Sequence, residues 1–280
     1  MRAVCLLVFP ALASALQLAA VARPARLAVR NEVRRIGCDI VCGWGPEPVW
    51  ADNKIASITD ASDGLKSITI VPPTTKDFTI PGQYLQIREP GAEKAGIFAI
   101  ASAPGKDPFE FLIKEQPPSD WSPGTGWLTS APAGTALEMS QVMGPGFKCV
   151  GDDLDGVTDV LLFAVGSGIS PVRSVIESGV LKGKSVSLYY GAQTPSQMAY
   201  TDKFKEWESM GCKVTPVISK PDGTDWDGET GYVQDVAKAA GVANPSSTVM
   251  LICGMKGMAE GVKALAAEVG VAEENVRANF

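Results

Sequence analysis

The chain has 280 residues, enough for two domains of ordinary size, and its 45% hydrophobic and 20% charged content is that of a globular protein with ample core. It contains 6 cysteines and no histidine, which excludes a histidine-based serine or cysteine relay and any zinc site that needs imidazole. Charge is placed unevenly: residues 1–35 balance at +5 and the remainder at −11, and an acidic body disfavours nucleic acid and, more weakly, acidic carrier proteins as partners.

Residues 3–22 are uncharged and apolar behind Arg2, and Ala13-Ser14-Ala15 is an A-x-A cleavage pattern. This reads as a signal peptide, with a single membrane span as the alternative. Residues 16–35 are rich in Ala and Arg and nearly free of acid, like an organelle transit peptide. Signal followed by transit predicts a plastid address, with a mitochondrial presequence or secretion as alternatives. Residues 1–45 are therefore set apart as a leader, and no stable membrane insertion is expected once it is removed. Cys38 and Cys42 lie at its end with no Cys or His partners nearby, so no metal site is expected there.

Residues 51–153 carry a β pattern. Short strands are predicted over 54–59, 65–71, 78–80, 83–88, 96–101, 109–114 and 136–140, each bounded by Pro, Gly or Asp. So many short strands in about 100 residues predict a small antiparallel β-barrel. A helix-like turn interrupts it within 121–128, and its N-terminus is a candidate phosphate seat.

Residues 156–280 alternate β and α. An apolar strand over 160–165 leads into Gly166-Ser167-Gly168 and a helix running to Ser178, stopped by Gly179. Ser170 is placed as the N-cap and Pro171 as the first helical residue. Strand, glycine turn and helix N-terminus make an anion site, although such turns also occur as plain connectors. Further strands are predicted over 185–190, 213–219 and 248–253, helices over 197–210, 232–240 and 258–269, and an edge strand over 276–280. Alternation of this kind implies a parallel sheet with helices on both faces. Its ligands sit beyond the carboxyl ends of the strands. Gly166-Ser167-Gly168, Gly191-Ala192-Gln193 and Cys253-Gly254-Met255 all fall there, a coincidence that plain connectors do not predict.

Six stretches in this order resemble the ferredoxin–NADP reductase-like flavoprotein superfamily. Pro81-Gly82-Gln83-Tyr84 resembles its P-G-Q-[FY] strand, and Ile100-Ala101-Ser102 the tail of the flavin motif R-x-Y-[ST]-I-A-S. Thr125-Gly126-Trp127-Leu128 is similar to the turn that holds the flavin diphosphate. Residues 142–147 resemble the G-x-x-G-x-F that ends the barrel. Residues 166–171 are similar to the nicotinamide pyrophosphate loop G-x-G-[IL]-[AS]-P, and residues 253–258 to the C-G-x-x-x-M loop beside the nicotinamide. Within the superfamily, residues 100–102 and 142–147 resemble a plant and algal branch typified by a kiwi fruit protein.

The resemblance implies an FAD-binding barrel over residues 51–153, an NAD(P)-binding α/β domain over 156–280, and hydride transfer from NAD(P)H to FAD and on to an unknown acceptor. It implies Phe98, Ile100, Ser102, Thr125, Gly126 and Trp127 as flavin contacts. Gly166, Ser167, Gly168, Pro171, Gly191, Gly254 and Met255 are the implied dinucleotide contacts. Cys253 becomes a small, polarisable neighbour of the reacting carbon; its plainer reading is a buried strand-end thiol.

Gly96, Phe98 and Ala99 stand where the flavin motif has Arg, Tyr and Ser or Thr. The charge-assisted pair made by such an Arg contributes about 1.5–3 kcal/mol. Its loss leaves three readings: weaker FAD binding, FMN in place of FAD, or an empty site. A degenerate dinucleotide-binding sensor or assembly protein is therefore the alternative to an enzyme. For NAD versus NADP, the chain keeps an aromatic at Tyr200 but lacks the usual Arg near Gln193. Lys203 or Lys205 are candidates for a 2′-phosphate, and the choice stays open with a lean to NAD.

Overall fold

Short alternating strands can bury apolar surface only by stacking two sheets face to face, and the first half of the chain does this. The computed structural model describes residues 46–117, 119 and 123–279. The expected leader, the cysteines within it, Trp121, Ser122 and Phe280 lie outside them. The strands are β1 (Ala51–Lys54), β2 (Ser57–Ser62), β3 (Leu65–Ile70), β4 (Tyr84–Arg88), β5 (Gly96–Ala99), β6 (Phe109–Lys114) and β7 (Ala136–Met139), with α1 (Pro123–Ser130) before the last. They pair antiparallel in two sheets, ordered β1-β7-β4-β5 and β2-β3-β6. Side chains at period two enter one shared core: Ile68 and Ile70, Leu85 and Ile87, Phe109 and Phe111, Leu137 and Met139.

The strand expected over 78–80 is a turn instead. The Gln83 side-chain carbonyl accepts the N–H groups of Thr79 and Ile80, both at 3.0 Å, so these donors need no ladder. Phe78 still packs inward, edge-on to Phe109 at 5.6 Å between ring centroids.

The second half comprises β8 (Asp159–Val165), α2 (Ile169–Ser178), β9 (Ser185–Ala192), α3 (Phe204–Ser209), β10 (Cys212–Ile218), β11 (Glu229–Thr230), α4 (Val233–Ala240), β12 (Thr248–Cys253), α5 (Lys256–Val269) and β13 (Val276–Ala278). The six strands are all parallel, in the order β11-β10-β9-β8-β12-β13. Apolar residues of α2 and α3 cover one face, and those of α4 and α5 the other. The strand order reverses between β8 and β12, which opens a crevice at their carboxyl ends.

Two local expectations are corrected. The helix expected over 197–210 is reduced to α3, because Tyr200 adopts a left-handed φ of 61°. Its ring is buried under the Arg173 guanidinium at 4.8 Å and beside Trp207, and that tertiary pull breaks the helical run. α2 begins at Ile169, with Gly168 in the capping position. Ser170 is therefore inside the helix, and its hydroxyl donates to the Ala99 carbonyl of the barrel at 3.1 Å.

That bond is one of three by which α2 docks on the barrel. Ser174 donates to the Ser102 carbonyl at 2.9 Å, and buried Arg173 pairs with Glu110 of β6 while holding Glu177 of its own helix at 2.8 Å. Trp207 donates to the same Glu177 carboxylate at 3.1 Å. Removing the guanidinium takes the ionic partner from Glu110 and leaves Glu177 with Trp207 and Lys203. Arg173→Ala is expected to lose about 3–5 kcal/mol in urea unfolding at neutral pH; a loss under about 1 kcal/mol would show that the pairs do not hold the halves together.

Candidate dinucleotide site

At the carboxyl end of β8 the chain turns through Gly166 with φ 54°, a left-handed conformation that favours glycine, and a Cβ there would meet nothing within 4 Å. Residues 166–168 form a short 3-10 turn that runs straight into α2. The Ile169 N–H donates back to the Gly166 and Ser167 carbonyls, so this turn lies directly in front of the positive end of the ten-residue helix. Gly168 does a different job. A Cβ on it would stand 2.2 Å from the Cys253 carbonyl oxygen, so only glycine lets the turn rest on the end of β12. A Cβ on Gly254 would likewise stand 2.5 Å from Val165.

These loops form the floor of a cavity of about 580 Å³. Gly166, Ser167, Gly191 and Met255 line it from the sheet domain; Asp63, Leu65 and Lys114 close it from the barrel. Met255 and Tyr232 are exposed over 69% and 64% of their surfaces beside it. Gly168 and Pro171 lie buried behind the lining. Cys253 also stands behind it. Its sulfur is packed inside, its thiol donates to the Asn279 carbonyl at 3.3 Å, and burial pushes it up to about 12.

The barrel residues expected to hold flavin are arranged differently. Phe98 is only 7% exposed, and its ring lies across Gly96, where a Cβ would stand 2.3 Å from the Phe98 Cζ. Ile100 is fully enclosed. Ser102 is spent on structure: its hydroxyl accepts the Glu110 N–H at 3.1 Å and its carbonyl accepts Ser174. Thr125, Gly126 and Trp127 do form the N-terminal part of α1, with Trp127 packed against the barrel core. That end of the helix rests on β5: a Cβ on Gly124 would stand 2.6 Å from the Gly96 nitrogen. The two glycines, Gly124 and Gly96, thus let α1 approach β5 closely.

Residues 162–264 match the family of the oxidoreductase NAD-binding domain. The chain is 34% identical over 223 residues to fruit protein pKIWI502 of Actinidia deliciosa, covering 73% of this chain and 67% of that protein. The chain belongs to the ferredoxin–NADP reductase-like superfamily. It is 26% identical over 215 residues to the electron transfer component of a 2-halobenzoate 1,2-dioxygenase from Burkholderia cepacia, and spans 60% of that protein's length. A ferredoxin NADP⁺ reductase from Neisseria gonorrhoeae, solved with FAD and NADP bound, shares the fold at a TM-score of 0.71 and 16% identity over 84% of this chain and all of that one (100%).

Against this family frame, the candidates for a 2′-phosphate partner change. Tyr200 is buried under Arg173 and cannot stack on an adenine. Lys203 faces Glu177 and Glu206 at 3.7 and 3.6 Å. The cation beside Gln193 is Lys220, whose ammonium donates to the Gln193 side-chain carbonyl at 3.2 Å. Lys220 and Lys114 were both missed by sequence reasoning. The first follows the third strand of the sheet, where a carboxyl-end rule would have found it; the second comes from the barrel and needs the domain contact to be seen.

Two outcomes follow. Gly168→Ala drives a methyl into the end of β12 and is expected to cost about 1–3 kcal/mol in unfolding experiments; an unchanged midpoint would mean the turn has slack. Burial pushes the thiols of Cys149, Cys212 and Cys253 each up to about 12 from 9.0. Between those values the unfolded chain sheds protons that the folded chain keeps, so stability falls as pH rises, by up to about 1.4 kcal/mol per pH unit per thiol. Urea unfolding from pH 8 to 11 measures this, and a flat profile would contradict it.

Proposed function

We propose that the chain is an NAD(P)H-dependent oxidoreductase in which the reduced dinucleotide lies along the carboxyl edge of the sheet and gives up its hydride at the seam with the barrel. The observation that carries this reading is the open, left-handed Gly166 at the mouth of α2, facing a cavity that both halves of the molecule line. The N–H groups after Gly166 receive the diphosphate. Lys114 supplies countercharge from the barrel as the basic side chain among the described lining residues, opposed by Asp63 and Glu115. Gly191 keeps the second strand's end low, with Val165 and Val233 each 3.0 Å from where its Cβ would be. Cys253 stays a neutral thiol at ordinary pH, so it serves as a packing neighbour and not as a nucleophile or base.

FAD as the first hydride acceptor, with electrons passing onward to a further partner, is the arrangement the family resemblance implies. Members of the family bind FAD and NAD(P)H, and the close contact of α1 on β5 through Gly124 and Gly96 lies where this chain departs from the flavin motif, which has Arg at position 96. The same contact supports a second reading, a dinucleotide-binding sensor without turnover. A plastid address rests on the composition of the leader, and import of a fluorescent fusion tests it.

Gly166→Ala separates the enzyme-site reading from a plain connector. The methyl meets open space, so the variant folds, with about 1 kcal/mol of left-handed strain. It intrudes where the diphosphate binds, and the dissociation constants for NADH and NADPH, measured by calorimetry, are expected to rise about tenfold. Unchanged affinity would return the turn to a connector.

A further inference from the structure

With a dinucleotide bound in the cavity, a reading on which this inference rests, we propose that the buried Tyr190 hydroxyl is a positioning group: it holds the Gly166 peptide so that the Ser167 N–H is presented to the diphosphate. Tyr190 lies near the end of β9, fully buried behind the cavity lining. Its ring alone is ordinary core, and Phe would fill the same space. The hydroxyl needs a separate account, because burying it is unfavourable unless it is hydrogen-bonded. It has two backbone partners on two different loops. It donates to the Gly166 carbonyl at 3.4 Å and accepts the Ala199 N–H at 3.2 Å. Burial pushes this phenol above the ordinary tyrosine range, so it keeps its proton and remains a donor at ordinary pH. The bond to Gly166 is long, and it acts together with the Ile169 N–H, which donates to the same carbonyl.

A trans peptide is planar, with the C=O of one residue and the N–H of the next on opposite sides. Holding the Gly166 carbonyl inward against Tyr190 therefore turns the Ser167 N–H the other way, and Ser167 is a residue that lines the cavity. Ser167 is the second residue of the 3-10 turn, a place where an N–H has no partner within the turn. Gly166 makes this peptide a pivot. At φ 54° it is a glycine that crosses readily to other conformations, so its orientation has to be fixed from outside. The far end of the contact is itself held. Among the described residues, Tyr200 is the non-glycine one kept at positive φ, and such backbone persists only where its surroundings over-determine it. Here the Arg173 guanidinium sits over the Tyr200 ring at 4.8 Å, and Ala199, the residue before, gives its N–H to Tyr190. Arg173 belongs to α2, so the helix behind the turn and the hydroxyl beneath it are braced by one cluster.

Tyr190→Phe keeps the ring and removes the hydroxyl, and it is tested in the full chain. Calorimetry should show the dissociation constants of ADP-ribose, NADH and NADPH raised about fivefold, the effect of one lost hydrogen bond. Adenosine, which has no diphosphate, is titrated by NMR at millimolar concentration and should bind within about twofold of the parent. A hydroxyl that only supports packing would not separate ligands with a diphosphate from one without. Equal loss for adenosine, or no loss for ADP-ribose, would overturn the inference and leave the dinucleotide reading intact. A parent chain that binds neither NADH, NADPH nor ADP-ribose would overturn both. Amide exchange in the parent gives a second check that does not depend on how the variant folds. Without ligand the Ala199 amide should exchange slowly and the Ser167 amide fast, and saturating ADP-ribose should slow Ser167. A Ser167 amide already slow in the ligand-free chain would show that its N–H is spent inside the protein, and the inference would fall.

Discussion

The docking of α2 on the barrel is the constraint on which the rest depends. The same ten-residue helix starts directly behind the cavity-lining turn at Gly166 and Ser167 and spends Ser170, Arg173 and Ser174 on the barrel segment around Ala99, Ser102 and Glu110. Its N-terminus is also pinned from the other side, where Gly168 rests on the Cys253 carbonyl. An anion site built this way cannot drift without disturbing the domain seam. The charged part of the seam is costly to desolvate. It is tolerated because Arg173 meets two carboxylates and an aromatic face, which leaves no buried charge without a partner. Arg277 reinforces the join by donating to the Asp153 carbonyl at 2.9 Å in the connecting segment.

Glycine does opposite work at the two helix N-termini. At Gly166 the missing side chain leaves open space in front of a helix, and a phosphate can enter. At Gly124 and Gly96 the missing side chains let two backbones approach closely. The neutral thiol of Cys253, hydrogen-bonded to the last strand's extension at Asn279, belongs with the packing.

Much of the architecture was legible in the residues. Apolar runs of strand length, glycine stops such as Gly179, and three loops at one sheet edge were enough to place the parallel sheet and its crevice. The Thr125-Gly126-Trp127-Leu128 pattern was visible too, but the close approach of Gly124 to Gly96 beside it was not, because it spans 28 positions. The break at Tyr200 was hidden for a similar reason: helical spacing of Met198, Phe204 and Trp207 was real, and burial under a distant arginine overrode it. β11 has two residues, Glu229 and Thr230, too few for any pattern. Ser170 looked like a cap because local capping is the common use of serine there; its partner, Ala99, lies 71 positions away.

The central claim is that a nicotinamide dinucleotide occupies the cavity shared by the sheet's carboxyl edge and the barrel hairpin. Amide hydrogen exchange with and without saturating NADH tests it most directly. Protection is expected at 166–169, 191–193 and 254–258 in the sheet domain and at 63–65 in the barrel, with little change at α1. Protection confined to one domain, or appearing at α1 and β5 instead, would contradict the account.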